Sequence, residues 1–220
     1  FSIVPEDYYK ENGGVVIANP NAPTSLYADL SVIEDIIAKN QDVIVIIDEA
    51  YIDFAGKSAL ELIEKYDNLI VVQTFSKARS MAGVRICFAI SNPMLIKYLN
   101  DAKYSFNSYT MNQTSIICGV EAVKDKEYFE ETVTKIVATR DWAIGELQNL
   151  GFECLDSAAN FIFVKHPEYD AKELFEVLKA NDIYVRFWGS KRIEQYMRIS
   201  VGTREEMEAL LAFLRKHMNK

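Results

Sequence analysis

Five consecutive β-branched residues, Val43-Ile44-Val45-Ile46-Ile47, constrain this chain more than any other stretch. An apolar run without period-2 alternation reads as a strand buried on both faces, and such strands belong to parallel sheets covered by helices. The neighbouring sequence fits that setting. Gly14-Val15-Val16-Ile17-Ala18 reads as a second short strand, stopped by Asn19-Pro20-Asn21-Ala22-Pro23, where two prolines rule out a helix or a central strand. Leu30, Ile33, Ile36 and Ile37 form one helical face over residues 30–39. A helix over 58–65 and a strand over 68–75 continue a βαβ rhythm, the pattern of a parallel sheet.

The rhythm changes after Phe75. Residues 84–90 are strand-like, yet only residues 76–83 precede them, and a parallel crossover needs a dozen or more. This strand is therefore expected to run antiparallel to its predecessor. Residues 92–101 read as a helix, and 111–150 as almost wholly helical with a break near 124–126. Short strands at 152–155, 160–165, 183–187 and 197–201 then alternate with helices at 171–180 and 204–218. The expected fold class is α/β: a mostly parallel sheet with one antiparallel strand, followed by a small α+β domain. The expected boundaries are 1–135 for the large domain and 136–220 for the small one.

Composition narrows the function. Lys+Arg is 24 and Asp+Glu is 32 in 220 residues, a net charge of −8, which argues against a nucleic-acid partner. Three scattered cysteines suggest a reducing compartment, and two histidines with no Cys-x-x-Cys argue against a metal site. No apolar run reaches the roughly 18 residues of a membrane helix.

Ligands of open α/β sheets sit outside the carboxyl ends of the strands. The three parallel strands end in Asn19-Pro20-Asn21, Asp48-Glu49-Ala50-Tyr51 and Thr74-Phe75-Ser76-Lys77, and Arg85 begins the antiparallel strand. Asp48-Glu49 after an aliphatic run resembles an ATPase acidic motif, and Gly56-Lys57-Ser58 half of a phosphate loop. The full loop needs a glycine where Tyr51 stands, and it belongs upstream of the acidic motif. A lysine, a carboxylate, hydroxyls and an arginine on one rim suit pyridoxal phosphate better. That cofactor needs an amine for a Schiff base, an acid at its ring nitrogen and donors for its phosphate.

Plainer roles stand beside each assignment. Lys77 would be a solvated loop lysine and Asp48 a helix cap. Asn21, Thr74 and Ser76 would be turn residues, Tyr51 core, and Arg85 a surface ion pair. Arg198 and Arg186 would be solvated strand arginines, and Trp142 and Trp188 packing residues.

Four stretches together resemble the histidinol-phosphate aminotransferase family of fold-type I enzymes. They are Asn19-Pro20-Asn21-Ala22-Pro23-Thr24, Asp48-Glu49-Ala50-Tyr51, Thr74-Phe75-Ser76-Lys77-Ala78 with Ala82-Gly83-Val84-Arg85, and Arg198-Ile199-Ser200-Val201-Gly202-Thr203. The resemblance implies a pyridoxal-phosphate transaminase in which Lys77 is the Schiff-base lysine and Asp48 pairs with the pyridine nitrogen. By the same resemblance Asn21 and Tyr51 bond the ring oxygen, and Thr74, Ser76 and Arg85 hold the phosphate. Arg198 clamps the substrate carboxylate, and Arg186 is a second substrate arginine. Ser105-Phe106-Asn107-Ser108-Tyr109 resembles a segment near the family's dimer interface.

Also implied are an amino donor such as glutamate, a phosphorylated or aromatic acceptor, a homodimer and a cytoplasmic location. Threonine-phosphate decarboxylase and aromatic aminotransferase remain alternatives within the family. Ser25 replaces a family glycine, which is expected to shift its loop, and Cys87 replaces another, which is expected to crowd the phosphate. Family members carry a long segment ahead of the position of Phe1. An N-terminally truncated chain, self-associating and without bound cofactor, is therefore a further expectation, with a non-catalytic fragment as an alternative.

Overall fold

The computed structural model describes residues 1–54 and 56–218. Its first sheet has strands β1 (Val15–Ala18), β2 (Val45–Asp48), β3 (Leu69–Thr74) and β4 (Cys87–Ile90), in that order. The first three are parallel, with Ala18 opposite Asp48 and Asp48 opposite Val72. β4 is antiparallel to β3, with Cys87 opposite Thr74. Alternation sends Val15, Ile17, Val45, Ile47, Leu69 and Val71 to one face. Helix α1 (Leu30–Lys39) covers it with Ile33, Ile36 and Ile37, and all nine of these side chains are buried together. Asp29 caps that helix by accepting from the Ser31 N–H at 2.9 Å.

The second lobe is an antiparallel sheet ordered β5 (Glu153–Cys154), β6 (Phe161–Lys165), β8 (Met197–Ser200), β7 (Arg186–Phe187). Helices α2 (Pro93–Phe106), α3 (Gln113–Lys124) and α4 (Lys126–Asn149) lead into it. Asp125 ends α3 and caps α4, its carboxylate accepting from the Tyr128 N–H, so the expected break falls on a capping residue. Ile162, Val164, Met197 and Ile199 point to one face. There they pack on Ala143 and Leu147 of α4, on Leu174 and Leu178 of α5 (Ala171–Lys179), and on Leu210, Leu211 and Leu214 of α6 (Arg204–His217). A Thr203–Glu206 capping box starts α6.

Four expectations change. Residues 58–65 form a 3-10 turn, Ala59–Leu62, and not an α-helix. The segment is short and is tethered at its start through Glu49 to Ser58 and Ala59, so local i+3 bonds win over a costly helix nucleus. Arg85 does not begin the antiparallel strand, because residues 82–84 make a 3-10 turn and Arg85 is left-handed, φ 58°. The strand over 183–187 shrinks to Arg186–Phe187. Ile46 is only half-buried and Ile44, just ahead of β2, is 42% exposed, so the second face of β2 is covered only in part among the described residues. Val16, on the same open face as Ile46, is 70% exposed. The last two residues of the expected small domain, 219 and 220, lie outside those described.

Candidate functional site at the lobe junction

The first sheet brings three strand ends to one edge, as expected of a βαβ sheet. The Asn19 N–H bonds the Asp48 carbonyl at 2.9 Å and the Glu49 N–H bonds the Val72 carbonyl at 2.8 Å, extending the ladders to the rim. Asp48 is exposed there, with one carboxylate oxygen accepting from the Ala50 N–H at 3.0 Å. That cap leaves its other oxygen open to a ligand. Asn21 donates to the Thr24 hydroxyl at 2.7 Å and lines a cavity of about 610 Å³ with Tyr27 and Arg192. Asn19, 3% exposed, clasps both backbone groups of Ala28 and braces this loop.

Ser25 takes the left-handed backbone itself, φ 63°, and is completely buried. Serine thus supplies the turn expected of a glycine, and its N–H closes the loop on the Asn21 carbonyl at 2.8 Å.

At the end of β3, the Thr74 hydroxyl donates to the Ile86 carbonyl at 3.1 Å, and it accepts from the Ser76 N–H at 3.1 Å. These are turn bonds, yet they hold the Thr74 and Ser76 hydroxyls 3.0 Å apart beside the Ile86 carbonyl. The Arg85 side chain is exposed and donates to the Ala82 carbonyl at 2.9 Å, turned toward its own loop. Cys87 is exposed too.

Lys77 and Tyr51 meet directly: Lys77 Nζ lies 5.2 Å from the Tyr51 ring centroid. The Tyr51 ring in turn packs edge to face on Phe161 of the second lobe at 5.1 Å. Arg198 lies across the Phe161 ring, its guanidinium carbon 4.9 Å from that centroid and 5.4 Å from the centroid of Trp188. Period-2 alternation explains the placement, since Met197 and Ile199 enter the core and Arg198 takes the opposite face. Arg198 Nε is buried with no hydrogen-bond partner. A buried orphan donor is rare, and a carboxylate fork would satisfy it. Arg186 is opposite Arg198 in register, exposed, with its guanidinium 5.6 Å from Trp188.

Two residues have structural roles that no sequence motif assigns. Arg140 is 5% exposed and donates to the Phe54 carbonyl at 3.3 Å and the Ala159 carbonyl at 3.2 Å, joining the lobes. Its spacing with Ala143 and Leu147, both buried, was the available signal. Glu49, 2% exposed, is the other. It accepts from the Ser58 hydroxyl and the Ala59 N–H, each at 2.6 Å, and from the Gln73 amide at 2.9 Å. Burial raises its pKa above the ordinary range, and these three donors oppose the rise. Glu49 therefore braces the rim, and Asp48 is the exposed carboxylate beside it. No helix among the described residues is long and apolar enough to cross a membrane.

A mixed sheet with antiparallel β4, a lysine-bearing rim and a four-stranded second lobe define the fold-type I aminotransferase architecture. The chain belongs to the class I and II aminotransferase family, whose model matches residues 4–214. It is 47% identical over 220 residues to a histidinol-phosphate aminotransferase of Clostridium botulinum (strain Langeland), covering 100% of this chain and 62% of the relative. It is 53% identical over 209 residues to that of Brachyspira hyodysenteriae, covering 94% of this chain and 59% of the relative. The chain thus spans about three-fifths of the length of these curated relatives. The crystal structure of histidinol-phosphate aminotransferase from Sinorhizobium meliloti in complex with pyridoxal-5'-phosphate superposes with a TM-score of 0.84 at 27% identity, covering 94% of this chain and 57% of that one.

Proposed function

We propose that the protein is a pyridoxal-phosphate-dependent histidinol-phosphate:2-oxoglutarate aminotransferase. Residues 1–135 would form the cofactor lobe and 136–220 the small lobe. The observation that carries this reading is the run of contacts from Lys77 through Tyr51 and Phe161 to Arg198, which sets the Lys77 amine and the Arg198 guanidinium on one junction. The names of the relatives at 47% and 53% identity support the substrate.

The donor set fits the cofactor. When bound, pyridoxal phosphate supplies an aldehyde that condenses with amines and a ring that withdraws electrons from the amine-bearing carbon. Lys77 Nζ would hold that aldehyde, then take and return the α-proton of the substrate. The Asp48 carboxylate would keep the ring nitrogen protonated. Asn21 and Tyr51 would donate to the ring oxygen. Thr74 and Ser76 would bind the phosphate, with Arg85 after its side chain leaves the Ala82 carbonyl. Arg198 would fork the substrate carboxylate through its unpartnered Nε, and Arg186, beside Trp188, would receive a second anionic group.

A homodimer in the cytoplasm is the accompanying reading. Exposed apolar residues of α3, among them Ile117 at 55% and Val123 at 49%, support association, and the unpaired Cys87, Cys118 and Cys154 suit a reducing compartment. The test supplies cofactor, histidinol phosphate and 2-oxoglutarate and follows glutamate. Glutamate formed mole for mole with loss of histidinol phosphate is expected. Carbon dioxide release from phosphothreonine in its place would make the protein a decarboxylase, and neither product would refute the reading.

A further inference from the structure

We propose that Phe161 is a positioning residue that sets the Arg198 guanidinium against the Lys77 amine. The inference rests on the aminotransferase reading, because it concerns how a carboxylate-binding arginine on one lobe is registered to a reactive lysine on the other. Phe161 is 2% exposed and begins β6, which is paired on both sides by β5 and β8. Its ring touches Tyr51 at 5.1 Å with the planes at 86°, and Arg198 Cζ stands 4.9 Å from its centroid. Tyr51 carries the contact onward to Lys77 at 5.2 Å.

The backbone just ahead of Phe161 is tied to the cofactor lobe. The Ala158 N–H donates to the Ser25 carbonyl at 2.9 Å, and Arg140 links the Ala159 and Phe54 carbonyls. The Phe161 ring is therefore registered to the rim, although its strand belongs to the other sheet. An aromatic face attracts a cation without occupying its N–H donors. Phe161 and Trp188 hold Arg198 this way, and Arg198 Nε remains buried and unpartnered. The guanidinium is thus oriented by rings that take no hydrogen bond from it, and the side chain as a whole is only half-buried. A salt bridge would orient it equally well but would consume the donors.

Trp188 fluorescence, read in a Trp142→Phe background, reports on the site without turnover, since its ring lies 5.4 Å from the Arg198 guanidinium. Glutarate, a dicarboxylate with no amine, is the probe. Phe161→Leu is expected to raise the glutarate dissociation constant about tenfold, and Phe161→Tyr to keep it within about twofold. Ile162→Val, on the opposite face of the strand, is expected to leave it unchanged, with melting curves checking the fold of each. If Phe161→Leu does not fold, Phe161→Met carries the same comparison. An unchanged constant in the Leu or Met variant, or an equal loss in Ile162→Val, overturns the inference. Borohydride fixation of pyridoxal phosphate in the parent protein checks the underlying reading separately. A parent that fixes none at Lys77, or whose fluorescence ignores glutarate, overturns that reading and the inference with it.

Discussion

Replacing Glu49 tests the bracing carboxylate of the rim apart from the exposed Asp48 beside it. Glu49→Met keeps the volume and removes every acceptor. The Ala59 N–H, on a residue 2% exposed, then has no partner, which costs about 1–3 kcal/mol. The Ser58 hydroxyl and Gln73 amide are half-buried and recover part of their bonding from water. Relief of the buried carboxylate offsets some of the loss, so a net destabilisation of about 1–3 kcal/mol at neutral pH is expected.

Glu49→Gln behaves differently. Its oxygen still accepts from Ala59, while the Ser58 hydroxyl and Gln73 amide can reorient toward its NH₂, so it should lie within about 1 kcal/mol of the parent. The pH dependence follows from the raised native pKa. The stability contribution of the Glu49 proton is complete below the ordinary 4.5 and is lost as pH rises through the higher native value. Glutamine does not titrate, so Glu49→Gln should gain on the parent as pH rises through that window. Urea unfolding followed by circular dichroism at several pH values measures both effects. Glu49→Met as stable as the parent, or a pH-independent difference between Glu49→Gln and the parent, would refute the account of the clamp.

Two further substitutions probe the frame around the site. Arg140→Met should cost about 2–4 kcal/mol by urea unfolding, because two carbonyls lose a charged donor. It should also speed proteolysis at the lobe junction, and unchanged cleavage there would show that Arg140 does not join the lobes. Ser25→Val forces a β-branched residue into the left-handed region and should cost about 2 kcal/mol or more, whereas Ser25→Gly should stay within about 1 kcal/mol of the parent. Equal melting temperatures for the two variants would contradict this backbone.

Much of this frame was legible because it depends on period and length. The Ile33, Ile36 and Ile37 stripe gave α1, and the short 76–83 connection gave the antiparallel β4. Alternation along Met197-Arg198-Ile199 put Arg198 opposite the core. What stayed hidden depends on tertiary contact. Nothing in Phe161-Ile162-Phe163 tells which ring meets another lobe, since all three residues read simply as buried strand. The run 43–47 suggested two covered faces, but burial of a face depends on what packs over it, and Ile46 is only half-buried. Arg85 looked like a strand residue because the Ala82–Val84 turn and its own left-handed backbone leave no periodic trace. The roles of Asn21, Asp48, Tyr51, Thr74 and Ser76 came from motif resemblance, because each also fits an ordinary turn, cap or core position.

The central claim is that Lys77, at the end of β3 and against Tyr51, is the amine that holds pyridoxal phosphate. Incubation with the cofactor, reduction with borohydride and peptide mass analysis test it most directly. The expected result is one phosphopyridoxyl group per chain, on the peptide containing Lys77, and its loss in Lys77→Ala. Label spread over several lysines, or retained in Lys77→Ala, would contradict it.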